Sequence, residues 1–351
     1  MWITALFGMV ISFAEAVLGQ LYHEKSPDGN FYGGAPYYMT KGLHNKTLAC
    51  LYAAFTVFTM GIAIVMLQTH SIASAVTVIY PLPIWVLGIG VALLTALVVL
   101  GGVKRITETA SLVVPFMAVI YLLGVIYIVI THFAQIPALF AQIMSSAFTT
   151  EAAAGGAVGY TIKEAVRNGV ARGLFSNDAG NGCAAAMHAS AKVEHPAMQG
   201  FAAMFGTFMT TIVICSCTAF VMLLAPESVT SGLQGMNLLQ AAMQYHLGSF
   251  GVVFIAVTLA LFSFSTFIGI LYYARCNVAY LFGDSWFWQT AYKVLALVML
   301  VVGGMQAYTV VWDLGDVGIG LMTIFNMLAL YPLSGEALTA LREYEAKKKL
   351  K

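Results

Sequence analysis

The chain contains nine apolar stretches that are each long enough to cross a lipid bilayer. A spanning helix needs about 20 mostly apolar residues. Hydrophobic residues make up 60% of the chain and charged residues only 9%, whereas soluble globular chains carry about 25% charged residues. We therefore predict an all-α polytopic membrane protein, buried in the lipid bilayer over most of its length. The stretches run near 1–22, 47–68, 83–101, 110–131, 162–191, 197–224, 249–274, 287–304 and 309–333.

The charged residues predict how the chain is oriented in the cell membrane. No linker divides the chain, so we expect one membrane domain over residues 1–340 and a basic cytoplasmic tail over 341–351. Lysine and arginine concentrate in cytoplasmic loops, and 13 of the 16 fall in alternate loops or in the tail. Nine crossings then place the N-terminus outside and the C-terminus in the cytoplasm. A net charge of +1 gives no basic field, so nucleic acid is not an expected partner.

The fifth apolar stretch is interrupted by residues that break helices. Its central segment, residues 171–183, reads ARGLFSNDAGNGC and contains three glycines, two asparagines and one aspartate. Broken backbone is tolerated at membrane depth only where it faces protein or a water-filled cavity. The ends of the two half-helices suit a carboxylate and a cation. The segment is therefore the main candidate for a binding site, and a glycine-rich packing kink is the alternative.

Arg172 precedes this interruption within the same stretch. An arginine inside the membrane is costly and usually functional. The sequence leaves two roles open, a gating role or a structural ion pair with Asp178 or Glu15.

Polar side chains in two other stretches are candidate ligands. Gln68 ends the second stretch, where its amide could hold a ligand or simply cap the helix. Ser265 and Thr266 lie deep in the seventh stretch, where their hydroxyl oxygens could coordinate sodium or bond back to a helix carbonyl. The common hydrolase, metalloprotease and nucleotide-binding motifs are absent, so the chain is not predicted to be an enzyme. An intramembrane enzyme that depends on Asp316 or His188 is a further alternative.

Two longer motifs resemble a known transporter family. Residues 169–180 read GVARGLFSNDAG, and residues 33–43 read GGAPYYMTKGL. These are similar to the GVARGLFSNEAG and GGPMYYIxKGL segments of the alanine or glycine:cation symporter family, which belongs to the leucine-transporter-like superfamily. The resemblance implies a five-plus-five inverted repeat that is preceded by one extra helix. The nine stretches would then be core helices 2 to 10, with the interrupted fifth stretch as core helix 6.

The resemblance also implies which positions bind substrate and ion. Aspartate replaces the usual glutamate at position 178, and isoleucine stands at position 270 where a tryptophan often closes the pocket, which could change its volume. The implied substrate-binding residues are Gln68, Phe175, Ser176, Asn177, Asp178 and Ile270, and the implied sodium ligands are Ser265 and Thr266.

By resemblance, the expected function is sodium-coupled symport of a small neutral amino acid, alanine or glycine, by alternating access. The coupling ion would be Na+, with H+ as the alternative. The family's core helix 1 carries a GTGN segment that this sequence does not contain. An N-terminally truncated, non-transporting fragment is therefore the alternative, and we expect that this chain does not transport by itself.

Overall fold

The protein is almost entirely helical in the part of the chain that the computed structural model describes, residues 1–25, 31–148 and 158–349. One short hairpin pairs β1 (Glu24–Lys25) antiparallel with β2 (Phe31–Tyr32). The helices there are α1 (Trp2–Leu21), α2 (Ala35–Lys41), α3 (Lys46–Thr77), α4 (Ile84–Val99), α5 (Gly102–Thr131), α6 (Ile136–Phe148), α7 (Val158–Asn177), α8 (Cys183–Ala189), α9 (Pro196–Leu223), α10 (Glu227–Thr230), α11 (Gly235–Leu247), α12 (Ser249–Phe282), α13 (Trp286–Gly304) and α14 (Tyr308–Lys349).

The predicted all-α multi-pass architecture is confirmed. Among the described residues, seven helices are long and apolar enough to cross a membrane: α1, α3, the Glu108–Thr131 part of α5, α9, α12, α13 and α14. The shorter apolar helix α4 corresponds to the third predicted stretch. The fifth stretch forms α7 and α8, with a break between them.

Several helices extend beyond their apolar stretches, because hydropathy marks the lipid-buried part of a helix and not its ends. α3 continues to Thr77, so Gln68 lies inside a helix and is not a helix-end cap. α14 continues to Lys349, so residues 341–349 of the predicted basic tail extend the last membrane helix. Two loops predicted to lie outside also carry helices of their own, α6 and α11.

Two membrane helices contain π-helical turns, at Thr59–Ala63 in α3 and at Phe208–Cys215 in α9. Such turns are rare and often lie at functional sites. The one in α9 packs against α1 and α7, so it lies beside the helix that is interrupted.

α1 is a central helix that packs against α7, α8, α9 and α14. The main hydrophobic core lies where α3, α12, α13 and α14 meet, and it includes Ile270, Leu300 and Met322. Helices α3 and α13 approach each other closely at Gly303 of α13. A Cβ atom added to Gly303 would lie only 2.3 Å from the Cα atom of Met66 on α3.

We predict that Gly303→Ala lowers the thermal unfolding midpoint of the purified protein. The added methyl group meets the α3 backbone, which cannot move aside as a flexible side chain does, and such overpacking costs about 1–3 kcal/mol. Gly90→Ala in α4 is the matched control, since nothing lies within 4 Å of its added Cβ atom. Equal midpoints for the two variants would show that α3 and α13 do not pack this closely.

Candidate functional site

The fifth apolar stretch breaks where the sequence predicts. α7 ends at Asn177 and α8 begins at Cys183, and the five residues between them are called the break below. Asp178 has a φ of +48° and Gly180 a φ of +92°, in the left-handed region that glycine adopts freely and aspartate tolerates. These residues turn the chain between two helical segments.

A second glycine of the break lets it approach the rest of the protein closely. Gly182 has a φ of +81°, and a Cβ atom there would lie 2.5 Å from the Tyr52 hydroxyl oxygen and 2.9 Å from the Ala35 side chain. Only glycine therefore fits at this position. The break is packed directly against α2 and α3.

A buried glutamate on α1 holds the break in place. Glu15 is fully buried, and its Oε1 atom accepts hydrogen bonds from the Gly182 backbone N–H at 3.0 Å and the Asn326 side-chain amide at 2.6 Å. The same Asn326 amide donates to the Gly180 carbonyl at 3.0 Å, and Tyr38 donates to the Asn326 side-chain oxygen. Helices α1, α2 and α14 thus converge on the break.

The other oxygen of this carboxyl group, Oε2 of Glu15, is buried and has no hydrogen-bond partner among the described residues. A buried polar oxygen without a hydrogen bond is unfavourable. A further partner at Oε2 would therefore stabilise the Glu15 carboxyl group. In the sequence, Glu15 is marked only by its position within an apolar stretch, because a glutamate is unusual in a membrane helix.

Asp178 connects the break to α12. Its Oδ1 atom accepts from the Asn181 side-chain amide at 2.6 Å, and its Oδ2 atom accepts from the Tyr273 hydroxyl at 3.2 Å. Tyr52 donates to the Asn181 carbonyl at 2.6 Å. The sequence reasoning missed Tyr52, Tyr273 and Asn326, because tyrosine and asparagine in apolar stretches give no signal of which helix they face.

Two of the predicted site residues face away from α12. The Ser176 hydroxyl lies 2.9 Å from the Thr211 hydroxyl, in the π-helical turn of α9. Asn177 accepts from Thr211 at 2.6 Å and donates to the Thr4 carbonyl at 3.0 Å. These contacts attach the end of α7 to α1 and α9.

Arg172 forms its ion pair with Asp316 on α14, not with Asp178 or Glu15, and the proposed pairing with those residues is wrong. The reason is that Arg172 lies more than one helical turn before the break, where it faces Asp316 on α14. Its guanidinium carbon lies 4.4 Å from the centre of the Trp312 ring, and the Phe175 ring centre lies 5.5 Å from that of Trp312.

A cavity of about 410 Å³ lies between α7 and α14 beside these groups. Its wall is largely apolar and carries the Asp316 carboxylate and Arg167 as charged groups. Phe175 also lines it. The cavity is therefore lined in part by the side chain that directly precedes Ser176 in the sequence.

The remaining predicted residues lie on α3 and α12. Ile270 is buried in the main core, and Gln68 is partly buried on α3. Ser265 and Thr266 donate to the Phe262 carbonyl at 2.8 and 2.9 Å, and neither they nor Gln68 bonds to the break in the described part of the chain.

We predict that Glu15→Ala destabilises the protein and that Glu15→Gln does so much less. Alanine leaves the Gly182 N–H buried without an acceptor, which costs about 1–3 kcal/mol. Glutamine keeps one oxygen acceptor and replaces the unpartnered oxygen with a donor. The thermal unfolding midpoints of the two purified variants test this. If glutamine is as damaging as alanine, the carboxylate charge itself is required.

Known proteins similar to this chain match it over nearly its whole length. The model of the sodium:alanine symporter family matches residues 1–351. The amino-acid carrier protein AlsT of Bacillus subtilis is 37% identical over 350 residues, which cover 99% of this chain and 73% of the relative.

Two further relatives carry more specific names. The probable sodium/glutamine symporter GlnT of Bacillus subtilis is 36% identical, over 99% of this chain and 72% of its own length. The sodium/alanine symporter AgcS of Methanococcus maripaludis is 34% identical, over 99% of this chain and 78% of its own length. On the extent of the family match and of these identities, the chain belongs to the sodium:alanine symporter family, whose members are sodium-coupled amino-acid transporters.

Proposed function

We propose that the protein is a symporter that uses Na+ to drive uptake of a small neutral amino acid, alanine or glycine, by alternating access. The observation that carries this proposal is the break in the interrupted helix, with the Asp178 side chain on it and the aromatic side chains of Phe175 and Trp312 beside it. AgcS is named for alanine and GlnT for glutamine. The family alone therefore leaves the size of the substrate side chain open.

The geometry of the break supports binding of the ammonium end of an amino acid. The last carbonyl groups of α7 have no intrahelical partners and carry partial negative charge, and Asp178 follows them directly. The N–H groups of Gly182 and Cys183 already donate to Glu15 and Asn181. The substrate carboxylate therefore needs other donors, and we propose the amide of Gln68, one of the implied substrate-binding residues.

The packing around Phe175 favours a small substrate side chain. Phe175 packs against the main core and against Trp312, and Ile270 is itself buried there. A large side chain would have to displace these groups from a close-packed interior, which is costly. Alanine and glycine require no such displacement.

The hydroxyl groups of Ser265 and Thr266 suit Na+ coordination. Each donates its proton to the Phe262 carbonyl, which leaves its oxygen lone pairs free to accept a cation. Thr266, Ile270 and Tyr273 follow each other at i, i+4 and i+7 and so share one face of α12. Since Tyr273 contacts Asp178, an ion at Thr266 would lie on the helix face that meets the break.

We further propose that the chain lies with its N-terminus outside and its C-terminus in the cytoplasm, as the lysine and arginine distribution predicts. Arg172 and Asp316 then lie on the outer side of the break. Their ion pair, together with Trp312, would close the path from outside when α7 and α14 approach.

One Na+ moving inward through 100 mV gains about 2.3 kcal/mol, which supports accumulation against a gradient.

Contrary to the expectation drawn from the missing GTGN segment, the proposed function predicts that liposomes containing only this purified chain accumulate labelled alanine when Na+ is outside and K+ inside, and not when K+ replaces Na+. An excess of unlabelled glycine should reduce alanine uptake more than the same concentration of glutamine does. Asp178→Asn should abolish the Na+-dependent uptake of alanine. Equal competition by glutamine would contradict the small-substrate proposal.

The same preparation separates the transporter from the fragment hypothesis. Na+-dependent alanine binding without accumulation would favour a non-transporting fragment. The absence of both binding and accumulation would contradict the proposed function.

We predict that Asp316→Asn lowers kcat/KM for alanine uptake by about two- to fivefold, because a half-exposed ion pair contributes about 0.5–1 kcal/mol. Asp313→Asn is the matched control: it removes the same charge one turn earlier on α14, where the side chain is exposed. An equal effect of the two substitutions would show that the overall charge matters and not the contact with Arg172.

A further inference from the structure

Two histidines from distant parts of the sequence meet at the face of the protein that is predicted to lie outside. His132 directly follows α5, and His246 lies in the last turn of α11. Their ring centres are 4.8 Å apart and their planes are inclined by 79°. Both side chains are partly buried.

Backbone carbonyl groups determine which ring nitrogen of each histidine carries the proton. Nδ1 of His132 lies 2.9 Å from the Ile128 carbonyl oxygen, and Nε2 of His246 lies 2.9 Å from the Val221 carbonyl oxygen. A carbonyl oxygen only accepts, so these two nitrogens are the donors. In the neutral rings, Nε2 of His132 and Nδ1 of His246 therefore carry free lone pairs.

One of these lone pairs is left without any partner. Nδ1 of His246 is buried and has no hydrogen-bond partner in the described part of the chain. Edge-to-face packing of the two rings explains their contact, but it supplies no donor to this nitrogen. A buried acceptor without a donor is unfavourable. A group that binds the lone pair of His246 Nδ1 would therefore stabilise this arrangement.

The tautomers and the separation of the two rings are those expected of histidines that share a metal ion. Histidines that bind metals typically donate their second ring N–H to a backbone carbonyl or carboxylate, which fixes the tautomer. Zinc–nitrogen distances of about 2.0 Å and tetrahedral angles place two ligating imidazole centres about 5 Å apart, close to the distance here.

We propose that His132 and His246 form a binding site for a divalent transition-metal ion such as Zn2+ or Cu2+. The described residues contain no group of three or more His, Cys, Asp or Glu side chains that could hold a metal. Water therefore completes the coordination, and the site binds more weakly than a four-ligand structural site. This proposal does not depend on the proposed transport activity.

A bound ion would connect the end of α5 to α11. α11 packs against α3, α9 and α12, whereas the histidine contact joins it to the loop that leads from α5 to α6. The metal would thus link two segments that lie far apart in the sequence, and the folded protein should become more stable as it binds.

The test is binding of Zn2+ and Cu2+ to the purified full chain in detergent. We expect one saturable Zn2+ per chain, a rise in the thermal unfolding midpoint with Zn2+, and at least tenfold weaker binding in His132→Gln and in His246→Gln. His44→Asn is the matched control and should bind as the unchanged protein does, since His44 lies in the loop between α2 and α3. Gel filtration checks that each variant is folded.

Electron paramagnetic resonance of bound Cu2+ gives a readout that needs no variant. Hyperfine coupling to two imidazole nitrogens on one copper is the expected result. Coupling to one imidazole or to none, no saturable binding, or unchanged binding in both histidine variants would overturn the proposal.

Discussion

The structure depends on the requirement that broken backbone within a membrane must have its polar groups satisfied by protein. The interruption between α7 and α8 exposes amide and carbonyl groups at a depth where lipid offers no hydrogen bonds. Glu15 and Asn326 bond to the backbone of Gly182 and Gly180, and Tyr52 bonds to the carbonyl of Asn181. Without these buried partners, the interruption would leave these backbone groups unsatisfied within the membrane.

The same contacts divide the surroundings of the break into two sides. Asn177 is joined to α1 and α9 through Thr4 and Thr211, while Asp178 is joined to α12 through Tyr273. A ligand that changes the bonding of Asp178 would therefore act on the position of α12 relative to α7. This is the type of coupling between binding and helix movement that alternating access requires.

The sequence predicted the helices well because membrane spans depend on length and hydropathy, which a single chain displays directly. It also located the break, since glycine, asparagine and aspartate are rare together in an apolar stretch. It could not identify the partners of the break, because the helix face on which Asn326 or Tyr273 lies is decided by packing between distant segments. For the same reason it paired Arg172 with acidic residues that it does not contact. The assignment of Ser265 and Thr266 to sodium and of Gln68 to the substrate stays a prediction.

The central claim is that the break lines a hydrated cleft in which an amino acid and Na+ bind together. Hydrogen–deuterium exchange of peptides covering residues 176–184, measured by mass spectrometry on the protein in lipid nanodiscs, tests it most directly. The account predicts faster exchange of the break amides in K+ than when Na+ and alanine are both present. Exchange that is unaffected by Na+ and alanine would contradict it.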